Sequence, residues 1–258
     1  MVFSYYPGCT LRTRAKELDE KARKCAEALG ITLEEISDWQ CCGGCYPVAK
    51  DEIATRLSAV RALMAANSED RPLVTLCSAC HNVLKRTRHD LQTDETFRDR
   101  VNRYMGNDPA FAGEGEVIHV LELLRDKVGF DAIRQAVKNP LTGRKIAAYY
   151  GCLLLRPSGV MAFDDPENPT IIEDFIRALG AESVAWSMRN ECCGSYMALE
   201  DRGIVERKSG SVLENAKAQG ADTVITACPL CLYNLQKFGG SDLPVVYFTE
   251  LLYEALGL

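Results

Sequence analysis

The sequence predicts an α/β fold of two similar halves, each built on a small parallel sheet. The first observation is a cysteine pattern that occurs twice along the 258 residues. The second is the alternation of short apolar runs with longer helical patterns, which is typical of parallel α/β units. The third is the stretch NPLTGR at 139–144, whose Pro and Gly predict a break between the halves. We therefore expect domains at 1–140 and 141–258, with their sheets related by pseudo-two-fold symmetry.

The predicted elements follow one another in the same order in both halves. Strands are expected at the runs VFSYY and PLVTL, and again at KIAAYY and DTVITA, because β-branched and aromatic residues dominate them. Four helices are predicted, at 11–29, 47–66, 170–179 and 199–219. Gly30 and Gly220 supply C-terminal stops for the two long helices. VIHVLELL and VVYFTELL predict a closing strand and helix in each half, so that 85–108 is an insertion in the first.

Ten of the twelve cysteines form the repeated pattern. Each copy has one leading cysteine, a vicinal pair and a C-x-x-C, and 34 residues separate the pair from the C-x-x-C in both copies. The first copy consists of Cys9, Cys41, Cys42, Cys77 and Cys80. The second copy consists of Cys152, Cys192, Cys193, Cys228 and Cys231. Because several of these residues directly follow predicted strands, we expect each set of five thiols at the carboxyl edge of one sheet.

Five thiols in each copy favour iron–sulfur chemistry. A structural zinc site takes four ligands, typically from two pairs of the C-x-x-C kind, and each copy has only one such pair. Soft thiolates are the usual ligands of iron–sulfur clusters, although this spacing differs from that of ferredoxins. A thioredoxin-type dithiol would leave both vicinal pairs unused. The spacing alone therefore predicts two polynuclear iron–sulfur sites, with zinc in one of them as the alternative.

Bulk properties exclude some classes of partner. A net charge of −6 argues against a broad surface for nucleic acid or anionic membrane. The sequence shows no signal-peptide pattern and no apolar run near the roughly 18 residues of a membrane span. We expect a cytoplasmic protein without a membrane span, and in that compartment clustered cysteines indicate metal binding or catalysis rather than disulfides.

The pattern C-x31-CC-x34-C-x-x-C, with 39 residues in place of 31 in the second copy and a glycine after each vicinal pair, resembles the CCG domains found in the B subunit of heterodisulfide reductases. The resemblance covers essentially the whole chain and implies two Rossmann-like domains, each holding a non-cubane [4Fe-4S] cluster on its five cysteines. In the methanogen member of that family, the coenzyme M–coenzyme B heterodisulfide is reduced between the two clusters by two one-electron transfers. The resemblance implies a hetero-oligomeric complex with two partners, a flavoprotein A subunit plus a ferredoxin-like C subunit. The alternative is an electron-transfer subunit of another oxidoreductase complex, without disulfide chemistry.

Several other residues are candidates for supporting roles. His81 completes a C-x-x-C-H motif, but the second copy has no equivalent histidine, so a haem site is not expected. His81 is either a proton donor to a product thiolate or an ordinary polar residue in the first turn of a helix. Cys45 lies three residues after the first vicinal pair and either approaches that cluster or is a spectator. Cys25 falls within a helical pattern and is expected in the core.

Three arginines follow the leading cysteines. Arg12 and Arg14 come after the first, and Arg156 comes after the second. Arginine suits bidentate binding of sulfonate, phosphate or carboxylate, so these side chains are candidates to anchor an anionic disulfide. A solvated helix face is the alternative interpretation.

Overall fold

The computed structural model describes residues 1–44 and 53–258, and within these residues the chain forms two four-stranded parallel sheets. The first sheet contains β1 (Val2–Tyr6), β2 (Thr32–Glu35), β3 (Leu73–Thr75) and β4 (Val117–His119). The second contains β5 (Lys145–Tyr149), β6 (Glu182–Val184), β7 (Thr223–Thr226) and β8 (Val245–Tyr247). The strand orders are β2-β1-β3-β4 and β6-β5-β7-β8, so the two sheets repeat one topology. The predicted tandem α/β fold is confirmed.

Helices pack between and around the sheets. In the first half they are α1 (Cys9–Arg12), α2 (Lys16–Ala28), α3 (Leu57–Ser68), α4 (Ser78–Thr93), α5 (Glu95–Met105), α6 (Val120–Leu123) and α7 (Phe130–Ala136). In the second half they are α8 (Ser158–Met161), α9 (Ile171–Ala178), α10 (Arg202–Ala218), α11 (Pro229–Phe238) and α12 (Phe248–Leu256). The insertion expected at 85–108 takes the form of a longer α4 and the additional helix α5.

Helix boundaries differ from the prediction in two places. The helix expected at 11–29 is divided into α1 and α2, because the backbone leaves the helical conformation at Thr13. The helix expected at 47–66 is observed from Leu57 onwards, and the part at 47–52 lies outside the described residues. The start of α10 is set by Asp201, whose side chain accepts a hydrogen bond from the backbone N–H of Ile204 at 3.2 Å.

The central strands are buried because helices cover both faces of each sheet. All residues of β3 and β7 are buried, and so are the last four of β1 and of β5. Tyr6 of β1 pairs with Thr75 of β3, and Tyr149 of β5 pairs with Thr226 of β7. In each sheet the second strand is added on one side of the first strand and the third on the other, so the strand order reverses between β1 and β3 and between β5 and β7. Such switch points are where parallel α/β sheets bind ligands, outside the carboxyl ends of the strands.

The two halves exchange their closing helices. α12 follows the last strand of the second sheet but packs on α2 of the first half, and α7 follows the first sheet but packs on α9 of the second. Lys21 of α2 and Glu250 of α12 form an ion pair of 3.1 Å across this contact. Cys25 is buried there, with its Sγ 3.8 Å from the carbonyl oxygen of Thr249, so its expected place in the core is confirmed. The domain boundary at 140/141 lies between the two sheets and stays a prediction.

Helix length and polarity bear on the expectation about membranes. In the part of the chain that the structure describes, no helix combines the length and apolar character needed to cross a membrane.

Candidate functional site

The five cysteines of the first copy lie together at the carboxyl edge of the first sheet. The Sγ atoms of Cys41 and Cys9 are 3.4 Å apart, and those of Cys42 and Cys80 are 3.5 Å apart. Side-chain interactions also join Cys41 to Cys42 and Cys80 to Cys77. The first set of thiols is therefore a continuous row that begins at Cys9 and ends at Cys77.

The second copy repeats this arrangement at the edge of the second sheet. The Sγ atoms of Cys193 and Cys231 are 3.5 Å apart, matching the equivalent pair of the first half. Cys192 interacts with both Cys152 and Cys193, and Cys231 interacts with Cys228. The second row therefore runs from Cys152 to Cys228, in the same order as the first.

The two rows meet at their inner ends. The thiol of Cys77 interacts with that of Cys228, so all ten cysteines of the repeated pattern form one row in which the contacts follow the same order on either side of the centre. Ser78 reinforces this junction, because its backbone N–H and its hydroxyl both donate to the carbonyl oxygen of Ala227, at 3.2 and 2.7 Å. The structure thus brings together every cysteine that the spacing singled out.

The cysteine side chains become less buried from the centre of the row outwards. The inner thiols Cys77 and Cys228 are buried, whereas the outer ends are accessible. In the first half Cys9 and Cys41 are exposed, and in the second half the equivalent cysteines are only partly exposed. The outer thiols are therefore open to solvent, whereas the inner thiols are shielded from it.

Mutual hydrogen bonding sets the proton affinity of the thiols. Cys42 and Cys192 each share hydrogen bonds with two neighbouring thiols, and such a bond stabilises the thiolate form of the shared pair. The pKa of Cys42 is lowered to about 4, chiefly by the hydrogen bond with Cys41, and the pKa of Cys192 to about 2, chiefly by that with Cys152. The pKa of Cys228 is also lowered, chiefly through the other thiol of its C-x-x-C. The pKa values of the other shifted thiols are raised, because each shares a hydrogen bond with a neighbouring thiol and is partly or fully buried; these are Cys9, Cys77, Cys80, Cys152, Cys193 and Cys231. The row therefore favours the thiolate, the form that metal ligation requires, at three positions and the protonated thiol at six.

Two glycines leave room for sulfur atoms. Gly8 and Gly151 precede the leading cysteines and have φ values of 78° and 63°, which disfavour side chains. A Cβ atom at Gly8 would lie 2.9 Å from the Sγ of Cys80, and one at Gly151 would lie 3.2 Å from the Sγ of Cys231. Glycine is therefore required at both places for the backbone to approach the thiols so closely.

Two tyrosines fix the vicinal pairs. The hydroxyl of Tyr6 donates to the carbonyl oxygen of Gln40 at 2.5 Å, and that of Tyr149 donates to the carbonyl oxygen of Glu191 at 2.7 Å. Each acceptor belongs to the residue directly before a vicinal cysteine pair. The sequence reasoning did not assign these tyrosines a role, although the repeat of YYPGC as YYGC is the signal that could have identified them.

His119 and Tyr247 hold the centre of the row. Tyr247 Oη lies 2.7 Å from the carbonyl oxygen of Leu76 and 3.0 Å from that of Ala227, the residues directly before Cys77 and Cys228. His119 occupies the equivalent place in the first half, and its Nε2 lies 3.1 Å from the Leu76 oxygen. Nδ1 of His119 accepts from a backbone N–H of α6, so Nε2 carries the proton and donates. Both residues were missed at the sequence level, because histidine and tyrosine do not look like equivalents.

His81 lies beside the polar side chains of Glu122 and Lys85. His81 is fully buried in the first turn of α4, and its Nε2 lies 3.3 Å from Glu122, which also pairs with Lys85 at 3.5 Å. Its ring packs edge-on against His119 and Phe163. Burial lowers the pKa of His81 well below its usual value, so the ring is neutral. Its role as a proton donor to a thiolate stays a prediction.

The three arginines lie at the surface near the outer ends of the row. Arg12 pairs with Glu35 at 3.4 Å, and Arg156 pairs with Glu167 at 3.2 Å. Arg14 is exposed. Their predicted role as anchors for an anionic substrate remains to be tested, and Cys45, whose role was left open, lies outside the described residues.

The donor set fits a group that contacts several sulfur atoms at once. All eleven described cysteines are free of disulfides, and the two glycine positions provide the close approach that a bulky sulfur-bound group needs. Within the described residues, no three or more Cys, His, Asp or Glu side chains converge as a site for a single ion. The thiols are spread along a row, so different thiols could bind different iron atoms of one cluster.

Two parallel sheets that each present five thiols at a switch point define a tandem cysteine-rich protein. The chain belongs to the cysteine-rich CCG domain family, whose model matches residues 3–85 and 146–236. The resemblance that the cysteine spacing indicated is thereby confirmed.

Relatives of known type cover nearly the whole chain. It is 32% identical to the 8-methylmenaquinol:fumarate reductase membrane anchor subunit of Wolinella succinogenes, over 99% of this chain and 92% of the relative. It is 26% identical to the B subunit of the ferredoxin:CoB-CoM heterodisulfide reductase of Methanosarcina mazei, over 98% and 89%. It is 28% identical to a protein of Archaeoglobus profundus described as similar to the heterodisulfide reductase B subunit, over 99% and 90%. These similarities support an oxidoreductase function.

The fold also occurs among solved structures. A hypothetical protein from Helicobacter pylori superposes with a TM-score of 0.77 over the whole of this chain, at 11% identity. The chain spans 49% of that protein, and the likeness concerns the fold alone.

Proposed function

We propose that this chain is the disulfide-reducing subunit of a heterodisulfide reductase or a similar complex. In this proposal each half holds one non-cubane [4Fe-4S] cluster on its five cysteines, and a disulfide substrate such as coenzyme M–coenzyme B is cleaved between the two sites. When bound, such clusters supply one-electron chemistry. The reaction consumes two electrons and two protons for each disulfide and yields two thiols.

The observation that carries the proposal is the contact between the two rows of thiols. Because Cys77 interacts with Cys228, the two sites are neighbours rather than separate centres at opposite ends of the molecule. Cleavage of one S–S bond releases two sulfur atoms that start about 2 Å apart, so two adjacent sites suit it. The near symmetry of the sites matches the near symmetry of the bond.

The chain's own residues position the thiols and limit access to them. The hydroxyls of Tyr6 and Tyr149 fix the backbone before the vicinal pairs, and Tyr247 fixes the junction. The outer thiols Cys9 and Cys41 are open to solvent, and the buried centre excludes water from the inner thiols. Arg12 and Arg156 lie at the outer ends of the row, where each would exchange its exposed glutamate partner for a carboxylate or phosphate of the substrate.

Electrons have to come from a partner protein in this proposal. The relatives in Wolinella, Methanosarcina and Archaeoglobus include proteins named as subunits of reductases, which supports a hetero-oligomeric assembly. We propose that the direct donor is a ferredoxin-like C subunit, with a flavoprotein A subunit upstream of it.

A second candidate is an electron-transfer subunit that performs no disulfide chemistry. The similarity to a subunit of a quinol:fumarate reductase favours it, because the name of that relative specifies no disulfide. The two candidates share the thiol sites and differ in whether a substrate reaches them.

The test is an anaerobic assay of the chain with reduced viologen as electron donor and coenzyme M–coenzyme B disulfide as substrate. The proposal expects two thiols for each disulfide consumed, and loss of this activity in both Cys41→Ala and Cys193→Ala with the fold retained. Cys25→Ala is the matched control, because Cys25 is buried outside the row and is expected to leave the activity in place.

An S = 1/2 signal that appears when thiol is added under oxidising conditions separates the two candidates. Its presence supports a substrate site at the thiol row. Its absence, together with no thiol release, favours the electron-transfer subunit. Full activity in either row variant would refute the ligand assignment.

A further inference from the structure

The two thiol sites have equivalent inner vicinal cysteines with unequal surroundings. Cys42 and Cys193 each lie 3.5 Å from the second thiol of a C-x-x-C. Each also interacts with the backbone N–H of the residue two positions further on, which is Gly44 in the first half and Ser195 in the second. Up to this point the two environments match.

Asn234 breaks the equivalence in the second half. Its Nδ2 lies 3.5 Å from the Sγ of Cys193 and 3.0 Å from the carbonyl oxygen of Ser195. Because that carbonyl only accepts hydrogen bonds, it fixes which end of the amide is the nitrogen. The side chain is completely buried, and its Oδ1 has no hydrogen-bond partner among the described residues. The amide therefore points a fixed N–H group at a sulfur atom in a dry environment.

Val83 occupies the equivalent position in the first half. Both residues come three positions after the second cysteine of a C-x-x-C, in α4 and in α11. A Cβ atom at Gly44 would lie 3.5 Å from the Sγ of Cys42, 3.6 Å from the Oη of Tyr196 and 3.6 Å from Cγ2 of Val83, so the valine and this tyrosine hydroxyl border the same spot beside the sulfur. Valine has no hydrogen-bond donor. Val83 therefore cannot give Cys42 the buried amide hydrogen bond that Asn234 gives Cys193.

A second difference also stabilises negative charge at the thiols of the second half. The ammonium group of Lys208 interacts electrostatically with Cys192, whereas the residue 151 positions earlier is the buried and apolar Leu57. Lys208 is exposed, so salt screens its effect, and it adds to the effect of Asn234 rather than replacing it.

Solvent stabilises negative charge in the first half instead, because the outer thiols are more exposed there. Water stabilises added negative charge there, but it does so at the outer end of the row and in a high dielectric. The hydrogen bond from Asn234 acts on a buried sulfur, where the low dielectric strengthens it. The buried bond therefore outweighs solvent, and negative charge is better stabilised at the second site than at the first.

We propose that Asn234, acting through Cys193, makes the site in the second half easier to reduce than the site in the first. The inference rests on the proposed function, since it requires each row to hold a redox group. Hydrogen bonds to ligand sulfur atoms stabilise the more negative, reduced state and raise the reduction potential. The first electron supplied by a partner then resides in the second half, and the second electron resides in the first.

The test is an anaerobic redox titration of the iron-loaded chain with reduced viologen, followed by electron paramagnetic resonance. Each step moves one electron from the viologen radical to one site and breaks no bond. In Asn234→Val, the higher of the two midpoint potentials falls by about 59 mV, a tenfold change in the reduction equilibrium for one electron, and the lower stays in place. In Val83→Asn, the lower midpoint rises and the higher stays in place.

Asn102→Val is the matched control. Asn102 is a buried amide of α5 that bonds to backbone carbonyls and to no thiol, so its loss costs stability and moves neither midpoint. Iron content is measured for every variant. If Asn234→Val binds the full amount of iron and its two midpoint potentials are unchanged, or shift by the same amount, this inference is overturned and the proposed function is not. A wild-type chain that binds only one cluster overturns the proposed function and this inference with it.

Discussion

Substituting Gly8 tests whether the thiol row is a binding site shaped for a group larger than its own sulfur atoms. An alanine at Gly8 would place its Cβ 2.9 Å from the Sγ of Cys80. Carbon and sulfur atoms in contact need at least about 3.5 Å, so Cys80 has to move by about 0.6 Å or more. Ligand geometry has to be held within about 0.5 Å for a metal site to work. We therefore expect Gly8→Ala to lose the first cluster.

The backbone at Gly8 adds a separate cost in stability. Its φ of 78° and ψ of 163° lie in a region that is essentially restricted to glycine, and an alanine there costs about 1–3 kcal/mol. Gly30 provides the matched control, because its φ is 74° and a Cβ there would meet nothing within 4 Å. Gly30→Ala carries backbone strain of about 1 kcal/mol without touching a thiol.

The assay measures iron and sulfide for each folded chain after anaerobic reconstitution, with the free energy of unfolding measured in urea. Gly8→Ala is expected to retain about four of about eight iron atoms, and Gly30→Ala is expected to retain all of them. Gly151→Ala, whose Cβ would lie 3.2 Å from the Sγ of Cys231, gives the corresponding loss in the second half. Full iron in Gly8→Ala would refute the reasoning, because the displaced thiol would then not be a ligand.

Three further predictions follow from the contacts around the row. Tyr6→Phe and Tyr149→Phe each leave a backbone carbonyl before a vicinal pair without its donor, so each lowers the free energy of unfolding by about 1 kcal/mol and weakens iron retention in its own half. Chelator challenge measures the retention, and equal loss from both halves would contradict the assignment. Tyr247→Phe removes the donor to two carbonyls at the junction and costs about 1–3 kcal/mol in urea unfolding, whereas an unchanged midpoint would contradict its role. The fragment 1–140 lacks α12, which covers α2, so it should fold only when 141–258 is co-expressed, as circular dichroism would show.

The fold was largely predictable because its signals are local. Short runs such as PLVTL and DTVITA are apolar throughout, which is what strands buried on both faces require, and the repeat identified the duplication. The exchange of α7 and α12 between the halves was not predictable. An amphipathic helix shows that it has an apolar face, but the sequence does not say which of two similar halves that face will cover.

For the candidate site, the sequence predicted which residues take part but not how they contact one another. Spacing identified all ten cysteines that lie in the row, because chance rarely places five thiols twice at matching intervals. It did not identify the contact between Cys77 and Cys228, which depends on how the sheets are placed. Proximity in sequence was also an unreliable guide for His81, which follows Cys80 directly but turns its ring towards Glu122. Helical side chains that are neighbours in sequence point in different directions, so adjacency does not imply a shared site.

The most direct test of the central claim is the amount of iron, zinc and acid-labile sulfide bound by the wild-type chain after anaerobic purification. Two clusters on two five-cysteine sets predict about eight iron atoms and no stoichiometric zinc for each chain. About four iron atoms with one zinc would contradict the claim, because one set of thiols would then hold a single ion instead of a cluster.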